Sequence, residues 1–439
     1  MKLWQKDNTV LSKLTETFTV GNDRDFDLML APYDVQGTLA HVQMLRDAGL
    51  LPDEDHVKIR TALEEILQEI QEGKFVIEPG VEDVHSQVEV LVTRRIGDAG
   101  KKIHTGRSRN DQVAVDIKLF LRDEILKIKD QAAALFETLI DLAGKYSAVL
   151  LPGYTHLQVA MPSSFGLWLS AYAESLSDDA DLLAAAWRMT QKNPLGSGAG
   201  YGSSFPLNRA RTTALLGFQG MHYSSVYAQM SRGKTERTVA VACSALAATM
   251  GRLAMDLCLY MNQNFGFVSF PDELTTGSSI MPHKKNPDIF ELVRARCSRI
   301  QSVPNELTLL TQHLPSGYHR DVQLTKEILF PALVSLGECF EIMIHALPQM
   351  RVRTDILQED RYQYLFTVEA VNDLVKKGVP FRDAYRQVGN EVMEGRFTYE
   401  GFDISNHTHE GSMGNLCLDE IRNAFEQVLQ QFLFPVARS

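Results

Sequence analysis

The sequence predicts an all-α, mainly helical protein, and three stretches carry that prediction. From Asn110 to Leu142 the chain contains neither Gly nor Pro, and Val113, Ile117, Leu121, Ile125 and Ile128 recur at helical spacing. This pattern predicts a helix of roughly thirty residues, far above the usual length. From Glu54 to Glu72, residues Ile59, Leu63, Ile66, Leu67 and Ile70 form one apolar stripe opposite a charged face. From about Lys234 to Asn262 the run "VAVACSALAATMGRLAMDLCLYM" is apolar nearly all round. A helix of that kind has to be enclosed by others, in a bundle interior or at a subunit interface.

Taken along the chain, the pattern separates three blocks. At 439 residues the chain exceeds what one hydrophobic core usually serves. Residues 1–105 hold the short amphipathic stripe, and Phe75–Ile77 is the best candidate for a short strand. Residues 106–350 hold the long helices, interrupted near Asn193–Pro206, Phe265–Pro287 and Leu314–Tyr318. Residues 351–439 turn more polar and aromatic, as expected of a small helical domain. The architecture expected is an N-terminal helical domain, a central long-helix bundle and a C-terminal cap.

Composition narrows the function. A net charge of −11 argues against non-specific binding to nucleic acid or an anionic membrane. The N-terminal "MKLWQKDNTVLSKLTETF" lacks the apolar core of a secretory signal, and no uninterrupted apolar run is long enough to cross a bilayer. Five scattered cysteines without a Cys-x-x-Cys pair fit a reduced, cytoplasmic protein.

Three polar stretches at helix ends could carry chemistry. "HTGRSRNDQ" (104–112) opens the longest helix; orphan N–H groups there, flanked by Arg and Asn, suit a carboxylate or phosphate. The same residues also read as a capped helix with a solvated basic turn. "LPGYTHLQVAMP" (151–162) brackets His156 with prolines, and a lone histidine in such a place is more often a hydrogen-bonded structural residue than a catalyst. "TTGSSIMPHKKNPDIFELVRAR" (275–296) gathers two serines, Lys284 and Asn286 before a helix start near Pro287. Gly277 permits an unusual backbone angle and Pro282 stiffens the run. Fixed donors suit an anion that forms during a reaction, because they need not reorganise as charge develops. A capped loop with solvated lysines accounts for Gly and Pro but not for the whole donor set.

Other readings fail. There is no G-x-S-x-G, and "GSGAGYG" (196–202) lacks both the dinucleotide spacing and a preceding strand. His407 and His409 have no accompanying metal-ligand pattern, so a polar surface loop is the reading there.

Together the three stretches resemble the signature segments of the fumarase/aspartase superfamily. "GSSIMPHKKNPD" resembles its mobile-loop motif; "TGRSRNDQV" and "GYTHLQ" are similar to the narrower argininosuccinate lyase pattern. The likeness runs from "DVQG" (34–37) through "EDVH" (82–85) to "LVKKGVPFRDAY" (374–385). It implies a three-domain fold whose central long-helix bundle is shared in a homotetramer, with active sites built from several subunits. It also implies a small-molecule substrate, argininosuccinate or a close analogue, split by β-elimination without metal or organic cofactor. Mapped onto this sequence, Ser278 is the base on the mobile loop and Lys284 and Asn286 steady the developing dianion. His156 is the other catalytic residue, held by Glu291, and Thr155 meets a carboxylate. Ser108, Arg109 and Asn110 form the succinyl-binding turn, Tyr318, Gln323 and Lys326 bind substrate, and Asp27 meets the arginine end. Departures from the pattern lie in "GAGYGSS" (198–204), "SSVYAQMSR" (224–232), His319-Arg320, Leu324-Thr325 and Tyr385. They keep open a related substrate, such as an N-acylated argininosuccinate; a superfamily lyase acting on adenylosuccinate and a non-catalytic crystallin-like relative stand as separate alternatives.

Overall fold

Long helices dominate the computed structural model, which describes residues 12–433. The helices used below are α1 (Asp23–Asp47), α2 (Asp53–Gln71), α3 (Val84–Ile96), α4 (Arg109–Lys145), α5 (Phe165–Thr190), α6 (Lys234–Met261), α7 (Asp288–Ile300) and α8 (Thr325–Ala346). The predicted long helices are present: α4 runs 37 residues and α6 runs 28. The stripe expected between 54 and 72 is the buried face of α2, where Ile59, Leu63 and Ile66 are fully buried. Each contributes roughly 1.5–3 kcal/mol by leaving water. They pack with Val35, Val42 and Leu45 of α1 and Val84, Val88 and Val92 of α3.

The strand expected at Phe75–Ile77 is not formed; that segment is unpaired coil. Phe75 and Ile77 rest instead, partly buried, against the α1–α2–α3 core, so their alternation reflects packing on helices and not a ladder. The substantial strands among the described residues are an antiparallel hairpin, β1 (Leu150–Thr155) and β2 (Gln158–Ser164).

The chain divides into two compact units. One comprises the chain up to Ile128, Leu182–Ala245 and Arg299–Leu336; the other comprises Lys129–Asp181, Leu246–Ser298 and the chain from Gly337. This division differs from the blocks 1–105, 106–350 and 351–439, because α4, α5, α6 and α8 each contribute residues to both units. In the first, Phe120 of α4 packs on Phe330 at 4.3 Å between ring centroids. In the second, Phe136 of the same helix stacks on Phe425 at 3.9 Å. The stretches Ser225–Met261 and Arg320–Gln349 are apolar enough on average to suit a bilayer, but 50% and 44% of their most apolar windows are buried within the protein, as in core helices.

Candidate active site

The turn before α4 is locked by its own sequence. The backbone N–H of Ser108 donates to Asp111 Oδ1 at 2.9 Å, while Ser108 Oγ accepts from the Asn110 N–H at 3.3 Å. This reciprocal cap satisfies donors that the helix start leaves orphaned. The other Asp111 oxygen accepts the N–H groups of Gly196 and Gly198, both at 2.9 Å. The glycine-rich stretch thus wraps a carboxylate of the protein, with Gly196 and Gly198 at φ 85° and 60°. Burial pushes the Asp111 carboxyl up to about 6.

Beside this turn the first unit holds a cavity of about 590 Å3. Its walls include Asp27, Arg109, Asn110, Tyr318, Gln323 and Lys326, six of the residues singled out in the sequence. Further wall residues are Asp23, Glu82, Asp83, His85, Arg232 and Arg320. The cations are held by carboxylates. Lys326 Nζ pairs with Asp27 Oδ1 and, at 2.7 Å, with Asp23 Oδ1. Burial alone depresses the Lys326 ammonium, but Asp27 and Asp23 outweigh it and its pKa lies above the ordinary value. Burial pushes Asp23 up to about 6, despite the opposing pull of Lys326. Arg109 Nη1 lies 3.2 Å from Glu82 Oε2 and 3.0 Å from Asp83 Oδ2. Arg320 reaches Glu82 Oε1 at 3.2 Å, and Arg232 pairs with buried Glu236 at 2.9 Å.

Behind the wall lies a buried charged layer. His85 Nδ1 is 2.9 Å from Asp34 Oδ1, which also accepts from Gln112 Nε2 at 2.6 Å. Asp116 Oδ2 is 3.4 Å from the same ring nitrogen. Burial opposes a charged imidazole, but Asp34, Asp116 and Asp83 outweigh it and raise His85 to about 9. Burial, with Asp34 nearby, drives Asp116 well above the usual carboxylate range.

The second unit carries the other signature residues. His156 and Leu157 form the two-residue turn of the β1–β2 hairpin, at φ 54° and 56°. Neither is Gly or Asn, so each left-handed residue costs on the order of 1 kcal/mol or more, a strain that tends to persist at functional sites. Thr155 and His156 are exposed. Among the described residues His156 makes no hydrogen bond, so the structural reading of this histidine finds no support within the chain.

The loop before α7 is closed by a bridge between Thr276 and Asn286, with Asn286 N–H donating to Thr276 O at 2.8 Å. Inside it Ser278 Oγ accepts the Met281 N–H at 3.1 Å and the Ile280 N–H at 3.4 Å. Lys284 is exposed, while Lys285 pairs with Asp272. Gly277 does not adopt a positive φ, and a Cβ there would meet nothing within 4 Å, so the loop does not use the backbone freedom that glycine permits. Glu291, on the first turn of α7, is exposed and lies 3.8 Å from Arg294; the contact with His156 implied by the resemblance is not formed within this chain.

The structure therefore gathers Asp27, Arg109, Asn110, Tyr318, Gln323 and Lys326 around one cavity, with Ser108 in the adjoining cap. Thr155, His156, Ser278, Lys284, Asn286 and Glu291 belong to the other unit and are not among its wall residues. Sequence reasoning missed Asp23, His85 and Arg320 as cavity residues. The run "EDVH" was the available signal for Glu82, Asp83 and His85, three chemically active residues in four positions.

Residues 9–302 match the family described as Lyase. A curated argininosuccinate lyase of Bacteroides thetaiotaomicron is 54% identical over 99% of this chain and 96% of its own length. One of Thermotoga neapolitana is 38% identical over 89% of this chain and 98% of its own. Among solved structures, an EDDS lyase in complex with formate matches with a TM-score of 0.75 at 20% identity, over 96% of this chain and 91% of that one. A fumarate lyase:delta crystallin from Brucella melitensis bound to cobalt matches with a TM-score of 0.72 at 17% identity, over 98% and 94%. The likeness to these two structures concerns the fold.

Proposed function

The chain belongs to the lyase family and, within it, to the argininosuccinate lyases, and on that premise we propose how its residues divide the reaction. The activity is that of a carbon–nitrogen lyase: β-elimination splits argininosuccinate into arginine and fumarate. The observation that carries this reading is identity above one half, sustained along nearly the whole chain.

The chemical problem is a weakly acidic C–H beside a carboxylate. A base removes that proton, the electron pair forms the fumarate double bond, the C–N bond breaks, and the departing guanidino nitrogen takes up a proton. Ser278 is the proposed base. The Met281 N–H on its Oγ supports this, since a fixed donor stabilises an alkoxide where the charge resides. Lys284 and Asn286, on the same loop, steady the dianion formed after proton removal. His156 and Thr155, presented on a strained hairpin tip, act at the other reacting end, with Glu291 as the partner of His156. In the cavity, Arg109 and Asn110, with Ser108, receive the succinyl carboxylates. Tyr318, Gln323, Lys326 and Asp27 hold the arginine half. Thr155, His156, Lys284 and Glu291 are exposed, which fits residues that operate on an arriving ligand.

The proposal includes a homotetramer in which the exposed catalytic groups of one subunit meet the cavity of another. Apolar side chains left open support such an assembly: Val241 and Met255 on α6, Leu292 on α7 and Val334 on α8 are each at least 45% exposed. The five cysteines are free thiols, in keeping with a cytoplasmic location.

The test is a substrate panel. Purified protein should release fumarate and arginine from argininosuccinate, followed by ultraviolet absorbance and product identification. Faster fumarate release from adenylosuccinate, or no release from any succinyl-amine, would overturn the assignment.

A further inference from the structure

Binding a succinyl dianion needs donors that the protein has not already used, and the cavity is short of them. Each of the four basic side chains on its wall is engaged. Lys326 serves Asp23 and Asp27, and Arg109 serves Glu82, Asp83 and, through Nη2, Ser86 Oγ at 3.1 Å. Arg320 serves Glu82, the Thr19 carbonyl at 2.9 Å and Gln323 Oε1 at 3.1 Å. Arg232 serves Glu236 and, at 3.1 Å, the Val322 carbonyl.

His85 is different. It lines the same cavity on α3 and is 6% exposed, yet only one of its ring nitrogens is used. Nδ1 faces the Asp34 carboxylate at 2.9 Å, with Asp116 Oδ2 at 3.4 Å. Among the described residues Nε2 has no partner, and it is not among the buried polar atoms left without one, so it opens to the cavity. A carboxylate only accepts, so Nδ1 carries its hydrogen and the ring orientation is fixed.

From this geometry we infer that His85 is a substrate-binding residue whose Nε2–H donates to a carboxylate oxygen of the succinyl half. The inference rests on the lyase reading given above and adds a contact to it. Asp34 and Asp116 hold the ring from behind and favour its doubly protonated form, which makes the Nε2–H a charge-assisted donor. Asn110 on the neighbouring turn lines the same wall, so a bound carboxylate would find a cationic donor in His85 and a neutral one in Asn110.

Two variants separate binding from structure, because an Asn amide reaches the Nδ1 position and a Gln amide the Nε2 position. His85→Asn keeps a donor for Asp34 and loses the one facing the cavity. Calorimetric titration with fumarate should show affinity weakened roughly ten- to a hundred-fold, with KM for argininosuccinate raised; both variants lose the ring's charge, so both share any fall in Tm and the affinities alone are compared. His85→Gln should recover part of that loss. Wild-type fumarate affinity in His85→Asn would overturn the inference, as would equal weakening of affinity in both variants. In the unaltered protein, the 15N resonance of Nε2 should move on saturation with succinate; an unmoved resonance also overturns it. Failure of the lyase reading would look different: fumarate would bind through His85 while argininosuccinate remained uncleaved.

Discussion

The cavity of the first unit and the hairpin tip and loop of the second use the same kinds of side chain in opposite ways. Lys326 is 3% exposed and locked between two carboxylates, whereas Lys284 projects from the loop. His85 is anchored by Asp34, whereas His156 makes no hydrogen bond among the described residues and occupies a strained turn. The contrast teaches that one set is organised before any ligand arrives and the other waits for its partners. Buried charges require compensation within the fold, while groups that must meet a substrate gain by staying uncompensated until it is present.

The sharpest way to break this contrast is to exchange each lysine for methionine. Lys326→Met leaves Asp27 and Asp23 without their shared cation and should destabilise the protein by roughly 3–5 kcal/mol in chemical denaturation. Lys284→Met removes an exposed charge and should stay within about 0.5 kcal/mol while abolishing turnover. Equal effects on stability would mean that the buried network is not the organised half.

The buried layer also has a signature in pH. The folded-state pKa of His85, about 9, lies above its ordinary value of 6.5. Its stabilisation is therefore fully present below about pH 6.5 and is lost as pH rises through 9, on the order of 3 kcal/mol. The facing groups act as a set: Asp34 and Asp116 from α1 and α4, and Asp83 on the turn before α3. Unfolding free energies measured from pH 6 to 10 should fall in the wild type and stay flatter in His85→Asn.

The smallest effect concerns strain. His156→Gly places the residue tolerant of φ 54° at the hairpin turn and should stabilise the protein by about 1 kcal/mol while removing activity. A fall in Tm would show that His156 contributes contacts that outweigh its backbone cost.

What the sequence made legible was local. The stripe Ile59–Leu63–Ile66 and the Gly- and Pro-free run after Asn110 declare their helices because the periodicity is self-contained. The signature turns were legible as donor sets, and the cavity gathers five of the residues they and the substrate-binding stretch contributed, together with Asp27. The hairpin at His156 was not, since a two-residue turn normally advertises itself with Asn-Gly, and His-Leu gives no such sign. Phe75–Ile77 misled because alternation looks the same against a helix layer as in a sheet. The links Asp111 to Gly196 and His85 to Asp34 join positions 85 and 51 residues apart, and no spacing rule reaches that far.

The division of labour is tested most directly by measuring fumarate binding and fumarate release on the same Ser278→Ala protein. The account predicts wild-type affinity for fumarate, because the cavity is intact, with release from argininosuccinate reduced by at least about a thousand-fold. Release at the wild-type rate, or affinity lost together with release, would contradict it.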